Sequence, residues 1–134
     1  MKGFLTADRT GGERLIRVEY GSRPGRLIQA CSARAEAGDA GCMRVVCSVS
    51  AARTMLRLGA TCIRIRDAYG ADVETIWNTD ARRGGMTGHN RNRHTLCEEI
   101  SLPPGEYTAL VTFYARSGLG SDTVTCSTNP VTIE

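Results

Sequence analysis

Two histidines, His89 and His94, come first, because catalysis near neutral pH most often uses an imidazole. They stand in a stretch from Asp80 to His94 that also carries Arg82, Arg83, Arg91 and Arg93, three glycines, and no acid after Asp80. Metalloprotease spacing, two histidines one helical turn apart with a glutamate beside the first, is missing. A small hydrolase site here would have to take Asp80 as its carboxylate. Glu98 and Glu99 are adjacent, so on a strand they face opposite sides and cannot flank one substrate bond. No G-x-S-x-G nucleophile turn occurs, and the run Gly84-Gly85-Met86-Thr87-Gly88 lacks the lysine of a phosphate-binding loop. The expectation is a protein that is not an enzyme and needs no metal and no cofactor.

What the stretch does offer is electrostatic. Guanidinium forks pair bidentately with carboxylates and phosphates. Asp80 to His94 is therefore expected to be an exposed, mobile loop whose Arg82, Arg83, His89, Arg91, Arg93 and His94 grip another secreted protein with an acidic surface. Nucleic acid would call for aromatic residues interleaved among the arginines, and the loop has none. The net charge is only +3, and all basic residues but Lys2 are arginine, so the imbalance reflects composition more than a dedicated polyanion site. An Arg-rich, Lys-poor chain resembles the proteins of high-GC bacteria such as actinomycetes.

Six cysteines, Cys31, Cys42, Cys47, Cys62, Cys97 and Cys126, are even in number and irregular in spacing. In a short chain that pattern reads as a disulfide framework and an oxidising compartment. The rivals are free core thiols and a zinc knuckle, but the closest pair, Cys42 and Cys47, has four residues between its members where a knuckle usually has two. Six cysteines allow fifteen pairings, of which Cys97 with Cys126, flanking the last strands, is the preferred guess. The opening Met1 to Asp8 lacks the apolar run of a signal peptide, which leaves a cytosolic protein or the mature form of a secreted one, and the six cysteines favour the secreted form.

The elements that position these residues are strands. After Pro103-Pro104-Gly105, the residues Tyr107, Ala109, Val111 and Phe113 alternate with Thr108, Leu110, Thr112 and Tyr114, a period of two. Similar alternation marks Glu13 to Tyr20, Met43 to Ser50, Met55 to Asp67 with a break at Gly59, Asp72 to Thr79, and Thr123 to Ile133 with a kink at Asn129-Pro130. Arg26 to Ala37 is strand-like between two glycines. Trp77 is expected in the core as its one large residue. Residues 1–12 are expected to form a flexible leader and 13–134 a single domain, with Ile16, Val18 and Tyr20 of the first strand available to a partner's sheet edge. No apolar run is long enough for a membrane span.

The run Leu102 to Tyr114, with its Pro-Gly turn before a Tyr-containing strand, resembles the end of immunoglobulin-like and fibronectin-like modules. Cys62 to Gly70 is similar to the hairpins of bacterial immunoglobulin-like modules. The resemblance implies an all-β, antiparallel immunoglobulin-like sandwich of seven to eight strands, here disulfide-stapled, and by analogy a recognition role. The expected function is that of a secreted binding module, an adaptor or accessory subunit of an extracellular bacterial assembly such as a toxin or adhesion complex. The alternative is a secreted inhibitor of a peptidase or other hydrolase that presents the arginine loop.

Overall fold

A computed structural model describes residues 27–78 and 85–134 in full, together with the backbone of 5–8 and 13–16. The protein is all-β with antiparallel pairing throughout. In chain order the strands are β1 (Leu5–Asp8), β2 (Glu13–Ile16), β3 (Ile28–Ala37), β4 (Cys42–Asp67), β5 (Asp72–Trp77), β6 (Thr87–Ser101), β7 (Gly105–Ser117), β8 (Gly120–Ser127) and β9 (Val131–Ile133). Among the described residues no helix is long and apolar enough to cross a membrane.

β4 organises the rest. The sequence suggests two segments, Met43 to Ser50 and Met55 to Asp67, yet they form one strand of 26 residues. Its first half pairs with β3 on one edge (Cys31 opposite Val49) and with β6 on the other (Leu96 opposite Cys47). Its second half pairs with β7 (Val111 opposite Ile63) and with β5 (Ile76 opposite Ile63). The path then runs from β7 to β8, β2 and β1, with β9 on β7. β3 shares no ladder with β7, β8 or β9 but lies against all three, so the sheet is folded back over its own inner face.

That inner face is the core. Val45, Val49, Leu58, Ile63, Ile65, Val111, Phe113 and Val124 are each no more than 1% exposed. Gly59 lets the two halves of β4 meet the start of β6: a Cβ there would stand 2.1 Å from the Met86 carbonyl oxygen. That carbonyl accepts a hydrogen bond from the Ala60 amide at 2.7 Å.

Side chains also close strand ends. The Asp122 carboxylate is 1% exposed and accepts from the Leu27 and Ile28 amides, both at 2.9 Å. Asn129 treats Ala35 as a neighbouring strand would, accepting from its amide and donating to its carbonyl, each at 3.0 Å. At the entry to β7, the Tyr107 hydroxyl turns back to donate to the Pro103 carbonyl at 2.8 Å.

Several expectations are corrected. Trp77 is not a core residue: it is 53% exposed, because Ile76 takes the inward position opposite Ile63 and sends its neighbour outward. The segment Thr123 to Ile133 is two strands, broken at Asn129-Pro130. Of the expected leader, residues 1–4 and 9–12 lie outside the described residues, and Leu5–Asp8 are placed opposite Glu13–Ile16, with β2 in turn pairing with β8.

Candidate functional site

The site is built where β4 passes from one half to the other. Leu58, Gly88 and Ala115 are buried, so Arg57, His89 and Arg116, each one position away, turn outward. Register places the three in one row: Arg57 stands opposite His89 of β6 on one side and opposite Arg116 of β7 on the other. Residues directly opposite on antiparallel strands project from the same face. Arg57 Nη2 lies 3.3 Å from His89 Nε2. A guanidinium has only donors, so Nε2 accepts.

Beside this row sits Arg91. Its side chain lies over the bare α-carbon of Gly88, where a Cβ would come within 2.4 Å of Nε. Its Nη1 donates to His94 Nδ1 at 3.1 Å, and His94 Nε2 donates to the Gly85 carbonyl. The guanidinium can only donate and the carbonyl can only accept, so the His94 ring carries its proton on Nε2. Both ring nitrogens are occupied, and the residue is 7% exposed. His94 positions Arg91 and offers no free nitrogen to a substrate.

Ion pairs among the described residues include Arg34 and Arg44 with Glu36, Arg44 with Glu99, and Arg66 with Asp72. None includes Arg57, Arg91, Arg93 or Arg116. The result is a basic face to which no ion-paired carboxylate is assigned among the described residues. Beyond it, on the outer face of β3, β4 and β6, a shallow groove of about 350 Å³ is lined by Ser32, Ser48, Ser50, Arg93 and Thr95.

The expected loop is thus largely a strand. Residues 87–94 belong to β6, with His89, Arg91 and Arg93 exposed and His94 buried. Alternation there is hidden because this end of the strand faces outward, and apolar residues mark it only from Leu96 onward. Arg82 and Arg83 lie outside the described residues, as do Val18 and Tyr20. Ile16 is placed in β2 opposite Thr125, within the chain's own sheet. Arg57 and Arg116 escaped the sequence reading. Each is an ordinary outward arginine on a strand, and only the pairing of β4 with β7 makes them neighbours.

No disulfide joins any of Cys31, Cys42, Cys47, Cys62, Cys97 and Cys126. The closest sulfurs are those of Cys31 on β3 and Cys126 on β8, 3.2 Å apart and buried. The guessed pair of Cys97 and Cys126 is overturned, since Leu96 and Glu98 point inward and leave Cys97 exposed on the outer face. Cys42 lies beside Ser101, with Sγ and Oγ 3.6 Å apart. Burial pushes the Cys47 thiol well up from its ordinary value, with Cys97, Glu98 and Cys31 adding to the shift, and burial also raises Cys97. Among the described residues no cluster of three or more His, Cys, Asp or Glu has the arrangement of a metal site. No protein-family model matches the chain, and no curated protein sequence matches it.

Proposed function

We propose that the protein is a secreted, non-enzymatic binding module that holds an acidic protein partner against the row His89, Arg57 and Arg116. The observation that carries this reading is the direct opposition of Arg57 and Arg116, neither of which is in an ion pair described for this fold. Like charges opposed on neighbouring strands cost stability. A partner's carboxylates would relieve that cost and gain bidentate hydrogen bonds. Arg91, seated on Gly88 and held by His94, extends the same face in a fixed orientation, which lowers the ordering cost of an encounter. The histidines support a non-catalytic reading, since one is engaged by Arg57 and the other by Arg91 and Gly85.

The architecture is read as an immunoglobulin-like sandwich. Support comes from the Tyr107 hydroxyl folded back onto Pro103 at the entry to a strand, and from the Cys31 and Cys126 contact between elements that share no ladder. In an oxidising compartment those two thiols are the pair that closes. Two S–H bonds break, one S–S bond forms, and two electrons and two protons pass to a small-molecule disulfide such as oxidised glutathione.

The test is the native size of the protein in the secreted fraction of its source, with mass spectrometry of what co-elutes, beside the double variant Arg57→Glu/Arg116→Glu. The expected result is a larger complex with an acidic protein that the double variant loses. Elution free of any partner, or identical complexes for both forms, would overturn the reading. One observation favours the inhibitor reading instead: Arg91 is exposed yet pinned, as an arginine entering an acidic specificity pocket would be. Inhibition of a peptidase that Arg91→Ala abolishes would decide for it.

A further inference from the structure

We propose that the outer edge of β6 pairs with the same edge of a second copy of this chain, antiparallel, about a twofold axis at Leu96. The inference uses residues other than the Arg57 and Arg116 row and does not depend on partner binding there.

The hydrogen-bond phase of β6 shows which groups are available. Cys42 stands opposite Ser101, and the next pair is closed by the Leu102 amide donating to the Gly41 carbonyl at 3.0 Å. In an antiparallel ladder, bonded and non-bonded pairs alternate. The even-numbered residues of this part of β6 therefore bond to β4, and Arg93, Thr95, Cys97 and Glu99 turn their amides and carbonyls to the opposite edge. Among the described residues no strand pairs there. The phase agrees with the other side of β4, where Gly38 donates to the Cys42 carbonyl at 2.7 Å. It also predicts that Ala35 turns its backbone groups away from β4, and those are the groups that Asn129 occupies. The two outer edges thus differ. That of β3 is closed at both ends by Asp122 and Asn129, and that of β6 has no such closure on the described residues.

Exposed edges usually carry charge that blocks further pairing. On β6 the charge is polarised along the strand: Arg91 and Arg93 lie toward its start, Glu98 and Glu99 toward its end. Parallel pairing in register would set like charges together, and antiparallel pairing sets unlike charges together. With Leu96 opposite Leu96 of the second copy, Arg93 stands opposite Glu99, Thr95 opposite Cys97, and His94 opposite Glu98, each twice by symmetry. Arg93 and Glu99 both project from the outer face. Glu99 accepts from Arg44 at 3.1 Å, and a carboxylate has room for a second donor. Sliding the copy by two residues loses the Arg93 and Glu99 pairing and places Leu96 opposite Glu98 or His94. The central register also pairs odd residues with odd, so the backbone groups left free on each strand meet and make about eight bonds.

The test is the mass of the full chain in solution by sedimentation equilibrium, under reducing conditions, with circular dichroism confirming that each variant is folded. The expected mass is twice that of the 14.5 kDa chain. Arg93→Glu and Glu99→Arg each place like charges opposite one another and are expected to weaken the dimer at least tenfold. An equimolar mixture of those two variants restores it, because both cross-pairs of the mixed dimer are again of opposite sign. Register is checked with Thr95→Cys and oxidised glutathione, which is expected to give a covalent dimer through Cys97 of the second copy, lost in Thr95→Cys/Cys97→Ser. A monomeric wild type, a mixture that stays monomeric, or a cross-link that survives the removal of Cys97 would overturn the proposal.

Discussion

Arg57 and Arg116 stand directly opposite each other on neighbouring antiparallel strands and point to the same side, with His89 completing the row. Replacing one of them with an acid converts a repulsion into an ion pair. Arg116→Glu is expected to raise folding stability by on the order of 1 kcal/mol at low salt. The gain shrinks as salt is added, since both groups are reached by solvent ions. Urea denaturation at two ionic strengths reads this directly. The same variant is expected to lose the acidic partner, so stability and binding move in opposite directions.

Asp122 makes the opposite kind of contribution. Its buried carboxylate gives the Leu27 and Ile28 amides their acceptor where β3 begins, and its other oxygen accepts from its neighbour Thr123 at 2.9 Å. Truncation leaves buried donors unsatisfied, at about 1–3 kcal/mol for each group. Asp122→Ala is expected to cost on the order of 3 kcal/mol, and Asp122→Asn less, because one carbonyl oxygen remains. Equilibrium unfolding in urea checks both values and their order.

The alternation of Tyr107, Ala109, Val111 and Phe113 puts those residues on one face of a strand, because period two follows from strand geometry alone, and the structure buries that face. The same logic misjudged Trp77. Val73, Thr75 and Trp77 do share a face, but Ile63 decides which face of β5 is inward, and it sits in a different strand. Arg57 and Arg116 illustrate the remaining limit. They are far apart in the chain, neither carries a local motif, and their meeting depends on β4 running unbroken past Gly59. The Arg-rich stretch was legible as exposed and basic. Its strand character was hidden because the polar residues from His89 to Arg93 have no buried partner face to alternate against.

The buried Cys47 thiol gives stability a pH dependence with a definite sign. Its folded-state value lies above the ordinary 9.0, so above about pH 9 the unfolded chain releases a proton that the folded chain retains. Stability from this group is fully present below that pH and is lost as pH rises, by up to about 1.4 kcal/mol for each unit. The expected outcome is a steeper alkaline decline in unfolding free energy for the wild type than for Cys47→Ala between pH 8.5 and about 10.5. Equal slopes would mean that the thiol ionises as readily inside the fold as outside it.

Cys31 and Cys126 are placed to stabilise this fold by forming a bridge. Their sulfurs are in contact at 3.2 Å, and 95 residues separate them in sequence. A bridge over so long a loop removes much of the unfolded chain's freedom, worth roughly 4–5 kcal/mol on the chain-entropy account. Oxidation by glutathione disulfide is therefore expected to raise the unfolding free energy measured in urea by that amount, with the midpoint moving to higher urea and peptide mapping assigning the bond to Cys31 and Cys126. Cys31→Ala is expected to remove the shift, whereas Cys97→Ala leaves it intact because Cys97 lies on the outer face of β6. A shift that persists in Cys31→Ala would show that another pair closes and would overturn the assignment.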